Sequence, residues 1–296
     1  MKGRIAYVLV PVIILGLALF VSLTQSEHYY NRTYQHEQST QSQTISLEAA
    51  ELTTHLPVIS VDTRNQTIPG ALLLTPTTHY QLSEEGLSEI NVDVSLFDEE
   101  EVKAKAMFRV RGNSSRLFEK KSYALSFVND DFTDRELEVF GMEQDNNWAL
   151  HGPALDRTLL RNYLAMNLSG ELMPYAPDVR FVELIIDGSY EGVYLMMETV
   201  SKGEGRVDIP TPEPNSRMTS YIVEIDRAEK LAFPLNDFLV DTYRVYPSVT
   251  ELTYPTDQQY SEARFKFIDE DFSKFAKKLY QIPYASEPNE YKDWID

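Results

Sequence analysis

The sequence predicts an α+β fold in which antiparallel strands dominate, preceded by one membrane-spanning helix. Several segments alternate apolar and polar residues with period two, which is typical of half-buried strands. Two others repeat apolar residues every three or four positions, as amphipathic helices do. With 296 residues, 43% of them hydrophobic, the chain is long enough to bury a substantial core.

The charge and the lack of cysteine exclude several classes of protein. Asp and Glu total 46 against 27 Lys and Arg, a net charge of -19. Such a surface repels polyanions, so we expect no nucleic-acid partner. The absence of cysteine excludes disulfides, cysteine zinc sites and thiol catalysis. G-x-S-x-G, H-E-x-x-H and Walker A motifs are also absent, which argues against serine hydrolases, zinc proteases and P-loop enzymes.

A long apolar run follows the N-terminus. Lys2 and Arg4 precede the uncharged stretch from Ile5 to Leu23, which is about the length needed to cross a bilayer. We therefore predict that residues 1–26 are a signal anchor that makes the protein single-pass in the cell membrane, with its domain outside the cytoplasm. Cleavage near Ser26, which would release a secreted protein, is the alternative.

The next residues, 27–54, are rich in Gln, Ser and Thr and lack an apolar period, which predicts a flexible linker. One domain should then occupy residues 55–296. Its predicted strands are Leu56 to Thr63, Ile90 to Asp98, Lys103 to Arg111, Ser122 to Val128, Arg180 to Asp187, Tyr190 to Val200 and Ser220 to Asp226. Asp187-Gly188 between two of these strands is a residue pair preferred in tight hairpin turns.

Two helices are expected among these strands. Asp156 is a good N-cap for a helix over residues 157–172, whose leucines recur at helical spacing. Residues 257–281 predict a second helix. Its expected apolar face is formed by Tyr260, Phe265, Ile268, Phe272, Phe275 and Leu279.

Positive charge is concentrated in the stretch RVRGNSSRLFEKKSYALSF, residues 109–127. A strand that ends in a turn of small residues exposes backbone N–H groups, and a following lysine adds a point charge. This pattern is typical of a phosphate site. By itself it is also compatible with a plain β-hairpin whose Arg and Lys side chains are solvated.

The order of motifs resembles the spore coat protein H family, the CotH kinases. The similarity covers about residues 56–296 and rests on RGNSSR followed by KKSYALSF, on Trp148, Asp156 and the Leu160-Arg161-Asn162 core, and on DGSYEGVYLMMET. The resemblance implies an atypical protein-kinase-like fold, with an antiparallel β-rich N-lobe, one helix and the start of a helical C-lobe. It also implies ATP and Mg²⁺ as cofactors.

Site residues follow from the resemblance position by position. Those expected to bind the nucleotide are Arg111, Gly112, Asn113, Ser114, Ser115, Lys121 and Glu198. The turn and Lys121 would contact the phosphates, and Glu198 would lie where the two lobes join. The carboxylates that hold metal and orient the acceptor are expected beyond Asp296, so the domain is predicted to be truncated and the 296-residue chain inactive alone. His151 is read as a turn histidine, and Asp226 receives no catalytic role.

The resemblance implies a membrane-tethered, extracytoplasmic kinase that transfers the γ-phosphate of ATP to Ser or Thr of coat or envelope proteins. The alternative is a non-catalytic structural or assembly protein that binds a coat or envelope partner. A glycan-binding adhesin is a third and weaker reading, based on the abundance of Tyr and Phe.

Overall fold

The computed structural model describes residues 32–38, 41–46, 51–73, 79–98, 100–226, 235 and 249–281. They fall into two compact units, one ending at Thr199 and the other beginning at Val200. The strands are β1 Gln43–Ser46, β2 Glu51–Thr54, β3 Val58–Asp62, β4 Leu72–Leu73, β5 His79–Tyr80, β6 Ile90–Phe97, β7 Glu101–Arg111, β8 Ser122–Val128, β9 Leu137–Val139, β10 Met142–Asp145, β11 Asn147–His151, β12 Val179–Ile186, β13 Ser189–Glu198, β14 Ile222–Asp226 and β15 Val249–Tyr254. The α-helices are α1 Arg161–Leu172 and α2 Glu262–Gln281, and 3₁₀ helices lie at Gln35–Glu37, Ser114–Leu117 and Asp257–Gln259.

Seven strands of the first unit close into a barrel with the order β11-β13-β12-β3-β6-β7-β8. Neighbours along this order are antiparallel except β3 and β12, which run parallel with Val58 opposite Glu183. This parallel pair joins two strands that are far apart in the sequence. It therefore removes the two open edges that a simple antiparallel meander would leave.

The barrel core follows from the period-two pattern of its strands. In β6, the side chains of Val92, Val94 and Leu96 are buried, while the residues between them are partly exposed. The same alternation in β7 and β8 places Phe108, Tyr123, Leu125 and Phe127 in one apolar cluster, together with Trp148 from β11. Alternating side chains point to opposite faces of a strand, so one face of every strand fills the interior.

The predicted strands of the barrel are confirmed within two residues at their ends. The hairpin between β12 and β13 is also confirmed: Asp187 and Gly188 both have positive φ, 48° and 76°. A two-residue turn with φ positive at both positions matches the right-handed twist of the flanking strands, which is why Asp-Gly predicts it.

The kinase-like architecture expected from the resemblance is wrong for the described residues. The resemblance implied an antiparallel β-rich N-lobe with one helix and the start of a helical C-lobe, whereas the strands form a closed seven-stranded barrel. Only two α-helices occur in the part of the chain that the structure describes. The contact that closes the barrel is a long-range strand pairing, and no local sequence pattern encodes it.

The predicted membrane anchor needs a correction as well. Among the helices of the described ranges, none is long and apolar enough to cross a membrane. The apolar run from Ile5 to Leu23, from which the anchor was predicted, lies outside the described residues.

Residues 32–38, within the predicted linker, pack on the barrel. Arg32 donates hydrogen bonds to the carbonyl oxygens of Ala176 and Pro177, each at 2.8 Å, and its Nε lies 3.1 Å from Oδ1 of Asp178. The Gln35 side chain bonds both the N–H and the C=O of Phe181. Gln35 thus satisfies the backbone of β12 just before β12 begins to pair with β3.

Helix α1 starts later than the sequence predicts. Asp156 lies five residues before it and accepts the N–H of Arg161 at 2.9 Å, so the carboxylate still satisfies a free donor of the first turn. Of the apolar residues predicted to recur at helical spacing, only Tyr163 is buried within the helix. Tyr163 and Asn167 are buried, whereas the leucines of the helix face solvent.

The second unit contains the β14–β15 hairpin and α2. The predicted helix begins at Glu262 rather than at residue 257, because Asp257–Gln259 form a 3₁₀ turn. Ile268, Phe272 and Ala276 pack with Leu252 in a core of their own. The period of three and four residues therefore predicted this helix correctly.

Arg32 should be a principal stabilising residue of the first unit. We expect Arg32→Met to lower the free energy of unfolding by about 3 kcal/mol, because it removes one partner of a buried ion pair and leaves carbonyl groups unpaired. Urea denaturation measures the change. Lys105→Met is the matched control, since Lys105 pairs with Asp130 on the surface, and it should cost less than about 1 kcal/mol. Equal losses in the two variants would contradict this account.

Candidate functional site

Three loops of the first unit meet at one end of the barrel. β7 ends and β8 begins there, with Arg111 opposite Ser122, and β11 ends there with Leu150 opposite Tyr123. The β12–β13 turn reaches the same end, since a Cβ built on Gly192 would lie 3.2 Å from Nζ of Lys120. The motif singled out in the sequence therefore contributes the loop 112–121 to this end of the barrel. The loop 152–160 and the β12–β13 hairpin lie at the same end.

The turn after β7 requires glycine. Gly112 has φ of +102°, and a Cβ built on it would lie 2.1 Å from Oγ of Ser115. Residues 111–114 are exposed, and the short helix Ser114–Leu117 follows. The turn therefore presents small side chains and backbone groups to solvent at the end of a strand.

Arg116 holds this turn in place. Its Nε donates to the carbonyl of Gly112 and its Nη1 donates to the carbonyl of Gly70 at 2.8 Å. The guanidinium also lies 4.5 Å from the ring centroid of Tyr80. Burial lowers the pKa of Arg116, and the group stays charged at neutral pH because the pKa of arginine is far above it. Arg116 is thus a positioning residue of the turn.

The two adjacent lysines have different surroundings. Nζ of Lys121 donates to the carbonyl of Arg116 at 2.9 Å, which ties the start of β8 to the turn. Nζ of Lys120 donates to the carbonyl of Glu191 at 3.0 Å and lies 4.0 Å from the ring centroid of Tyr194. Burial lowers the pKa of Lys120. Sequence reasoning missed Lys120, although it stands next to Lys121 in the motif.

An open cleft of about 600 Å³ lies beside Lys120. Its walls come from the 118–120 and 153–159 loops and from the start of β13, including Phe118, Asp156, Arg157, Tyr190 and Glu191. A cleft of this volume is within the range of small-molecule sites. Positive, negative and aromatic side chains all line the cleft.

His151 and Asp156 add two titratable groups to this end of the barrel. Burial lowers the pKa of His151, the nearby charge of Arg111 lowers it further, and Asp156 acts in the opposite direction. The hydrogen bond from the Thr158 hydroxyl lowers the pKa of Asp156, with the N–H of Arg161 as the second cause. Because both pKa values are lowered, the His151 imidazole is favoured in its neutral form and the Asp156 carboxylate in its ionised form around pH 7.

Glu198 lies elsewhere. It ends β13 opposite Trp148, while Gly192 near the start of the same strand lies beside Lys120. At about 3.3 Å per residue the strand between them spans roughly 20 Å. The Glu198 carboxylate is buried and accepts the N–H of Asp178 at 2.8 Å and the hydroxyl of Tyr175 at 3.3 Å. The structure therefore brings residues 111–115 and Lys121 together and places Glu198 at the opposite end of the barrel.

No metal centre is formed by the described side chains. Within those ranges there is no group of three or more His, Asp or Glu residues that could hold a metal ion. Asp226 is the last residue of β14 and pairs with Val249.

The environment of His151 predicts a pH dependence of stability. Because the pKa of His151 is lowered in the folded state, the unfolded chain takes up a proton first as the pH falls through about 6.5. Folding stability contributed by the neutral imidazole is therefore present above that pH and lost below it. In urea denaturation from pH 7.5 to 5, His151→Gln should lose less stability than the wild type. Parallel pH profiles would contradict a lowered pKa.

The comparison with known families agrees with the motif order. A family model described as "CotH kinase protein" matches residues 108–296, nearly two thirds of the chain. The matched part begins inside β7, just before the Gly112 turn, and includes both lysines, α1 and the β12–β13 hairpin. No curated protein matches the chain. The protein belongs to the CotH kinase family.

Proposed function

We propose that the chain binds the phosphates of ATP at the barrel end formed by the Gly112 turn and Lys121, and that it acts in phosphoryl transfer to Ser or Thr hydroxyls of a coat or envelope protein. The observation that carries the proposal is the contact between the Lys121 ammonium and the Arg116 carbonyl. Through that contact the lysine and the turn form one rigid unit, in a chain that belongs to a kinase family.

The groups present fit a phosphate. An ammonium carries three N–H donors, and its bond to Arg116 uses one of them. The exposed turn adds small residues through which backbone N–H groups can approach an anion, and Arg111 adds a second cation at the end of β7. Positive charge at this place is local, because the chain as a whole is strongly acidic. A polyanionic ligand is therefore attracted to this end rather than to the surface generally.

Mg²⁺ supplies neutralisation of the phosphate charge in reactions of this class. The described side chains offer no cluster of metal ligands. We therefore propose that they bind the phosphates of the nucleotide, and we assign no metal ligand among them. Glu198 receives no part in it, since its carboxylate is committed to Asp178 and Tyr175 about a strand length away.

A second candidate function is non-catalytic binding of a coat or envelope partner. The row of exposed leucines on α1 favours a role in protein binding in general, because apolar side chains aligned on one helix face are typical of a contact surface. The two functions are compatible, since the leucines and the Gly112 turn belong to different elements.

ATP should stabilise the folded chain through Lys121. We expect millimolar ATP with Mg²⁺ to raise the melting temperature of the 296-residue chain, because a ligand that binds only the folded state stabilises it. Lys121→Met should weaken ATP binding by about tenfold or more, the effect of losing a hydrogen bond to a charged group. Differential scanning fluorimetry with an ATP titration measures both effects.

Two further variants sharpen this test. Lys103→Met removes an exposed lysine from β7 and should keep the response to ATP. Gly112→Ala should abolish the response without removing any charge, because alanine strains a φ of +102° and its Cβ collides with Ser115. A wild-type chain with no shift at millimolar ATP, or equal shifts in all variants, would show the proposal to be wrong.

A further inference from the structure

Helix α1 carries a row of exposed leucines. The exposed fractions of Leu160, Leu164, Leu168 and Leu172 are 45%, 58%, 62% and 77%. Residues four apart lie one above the other on a helix, so these side chains form one continuous ridge. Met173, directly after the helix, is also 54% exposed. Side chains of this size are normally the ones that a helix buries.

The side of α1 that carries Tyr163 and Asn167 is already covered by its own chain. Tyr163 packs against Phe181 of β12 with ring centroids 4.7 Å apart, and its hydroxyl contacts His36 at 2.8 Å. Asn167 bonds the guanidinium of Arg32. The helix is therefore fixed to the barrel by its polar and aromatic side, and the leucine ridge faces outward as a consequence.

We propose that this ridge is a self-complementary interface at which α1 packs antiparallel against α1 of a second copy of the chain. The spacing of the leucines is symmetric about position 166. A two-fold axis there places Leu160 opposite Leu172 of the second copy and Leu164 opposite its Leu168. A two-fold interface requires such a patch, in which every residue meets its symmetric counterpart.

The charges beside the ridge select the antiparallel direction. Arg161 and Glu171 are symmetric about the same position, and both are exposed, although one carboxylate oxygen of Glu171 accepts the hydroxyl of Tyr34. The Arg161 side chain is 77% exposed despite its 3.6 Å contact with Asp156. Antiparallel packing places Arg161 of each copy opposite Glu171 of the other, whereas parallel packing would place like charges together. The same residues thus favour one arrangement and oppose the other.

The size of the ridge sets the expected strength of the dimer. Twelve residues form α1, a length of about 18 Å at about 1.5 Å per residue. One face of a helix of that length buries less surface than the roughly 800 Å² per partner that stable complexes bury. We therefore expect a weak dimer whose population depends on concentration. It requires no nucleotide.

A charge-reversal series tests the pairing. In sedimentation equilibrium of the 296-residue chain, Arg161→Glu and Glu171→Arg should each weaken dimerisation about tenfold, because each places like charges opposite one another. The double variant should restore it, because the pairs form again with reversed sign. Both single changes suit the helix dipole, with the acid in the first turn and the base in the last. Each also breaks a contact within the chain, that of Arg161 with Asp156 or that of Glu171 with the Tyr34 hydroxyl, so restoration in the double variant is the result that identifies pairing between copies.

A cross-linking pair supplies an independent readout. The chain has no cysteine, so a single introduced cysteine forms a disulfide only between copies. Ala165 is exposed next to the symmetry position, and Ala165→Cys should cross-link at concentrations where Glu85→Cys, on an exposed loop of the barrel, does not. A chain that stays monomeric at all concentrations, or a double variant that fails to restore the dimer, would overturn the proposal. Failure would leave ATP binding at the Gly112 turn unaffected.

Discussion

The parallel pairing of β3 with β12 is the constraint on which the rest of the first unit depends. Without it the sheet would have two edges, and the loops after β3, β7, β11 and β12 would not be held around one rim. Closure of the barrel fixes the direction and the register of its strands together, because the alternate side chains of every strand must point into the interior. The position of the Gly112 turn beside Lys120 and Lys121 is therefore a consequence of barrel closure.

The two ends of the barrel carry different chemistry. At one end, Arg111, Lys120 and Lys121 surround an exposed glycine turn next to an open cleft. At the other end, Asp178 lies between two buried guanidinium groups, those of Arg32 and Arg180. The buried ion pairs at the second end hold elements together, whereas at the first end Arg111 is exposed and Lys121 uses only one of its three N–H donors in its bond to Arg116. This contrast is why the proposed nucleotide contacts are limited to the first end.

Local patterns predicted the elements well and their roles less well. The alternation in β6, β7 and β8 predicted half-buried strands, and the Asp187-Gly188 pair predicted the turn between β12 and β13, because each depends on residues close in sequence. The leucine period of α1 predicted a helix but not its buried side. That side was decided by Arg32 and by Phe181, which approach Asn167 and Tyr163 from distant parts of the chain. The surroundings of Glu198 have the same kind of cause, since the partners of its carboxylate, Tyr175 and Asp178, come from the segment after α1.

By itself the sequence determined the family motifs, six of the seven barrel strands, both described helices and the turn that contains Gly112. These depend on local periodicity and on backbone conformations that few residues adopt. Only the tertiary structure decided that the sheet closes, which lysine faces the cleft, and which face of α1 is left to solvent. Each of these features is set by contacts between residues far apart in the sequence. The free energy of such a contact depends on the distance between its atoms in the folded chain, which a local sequence pattern does not specify.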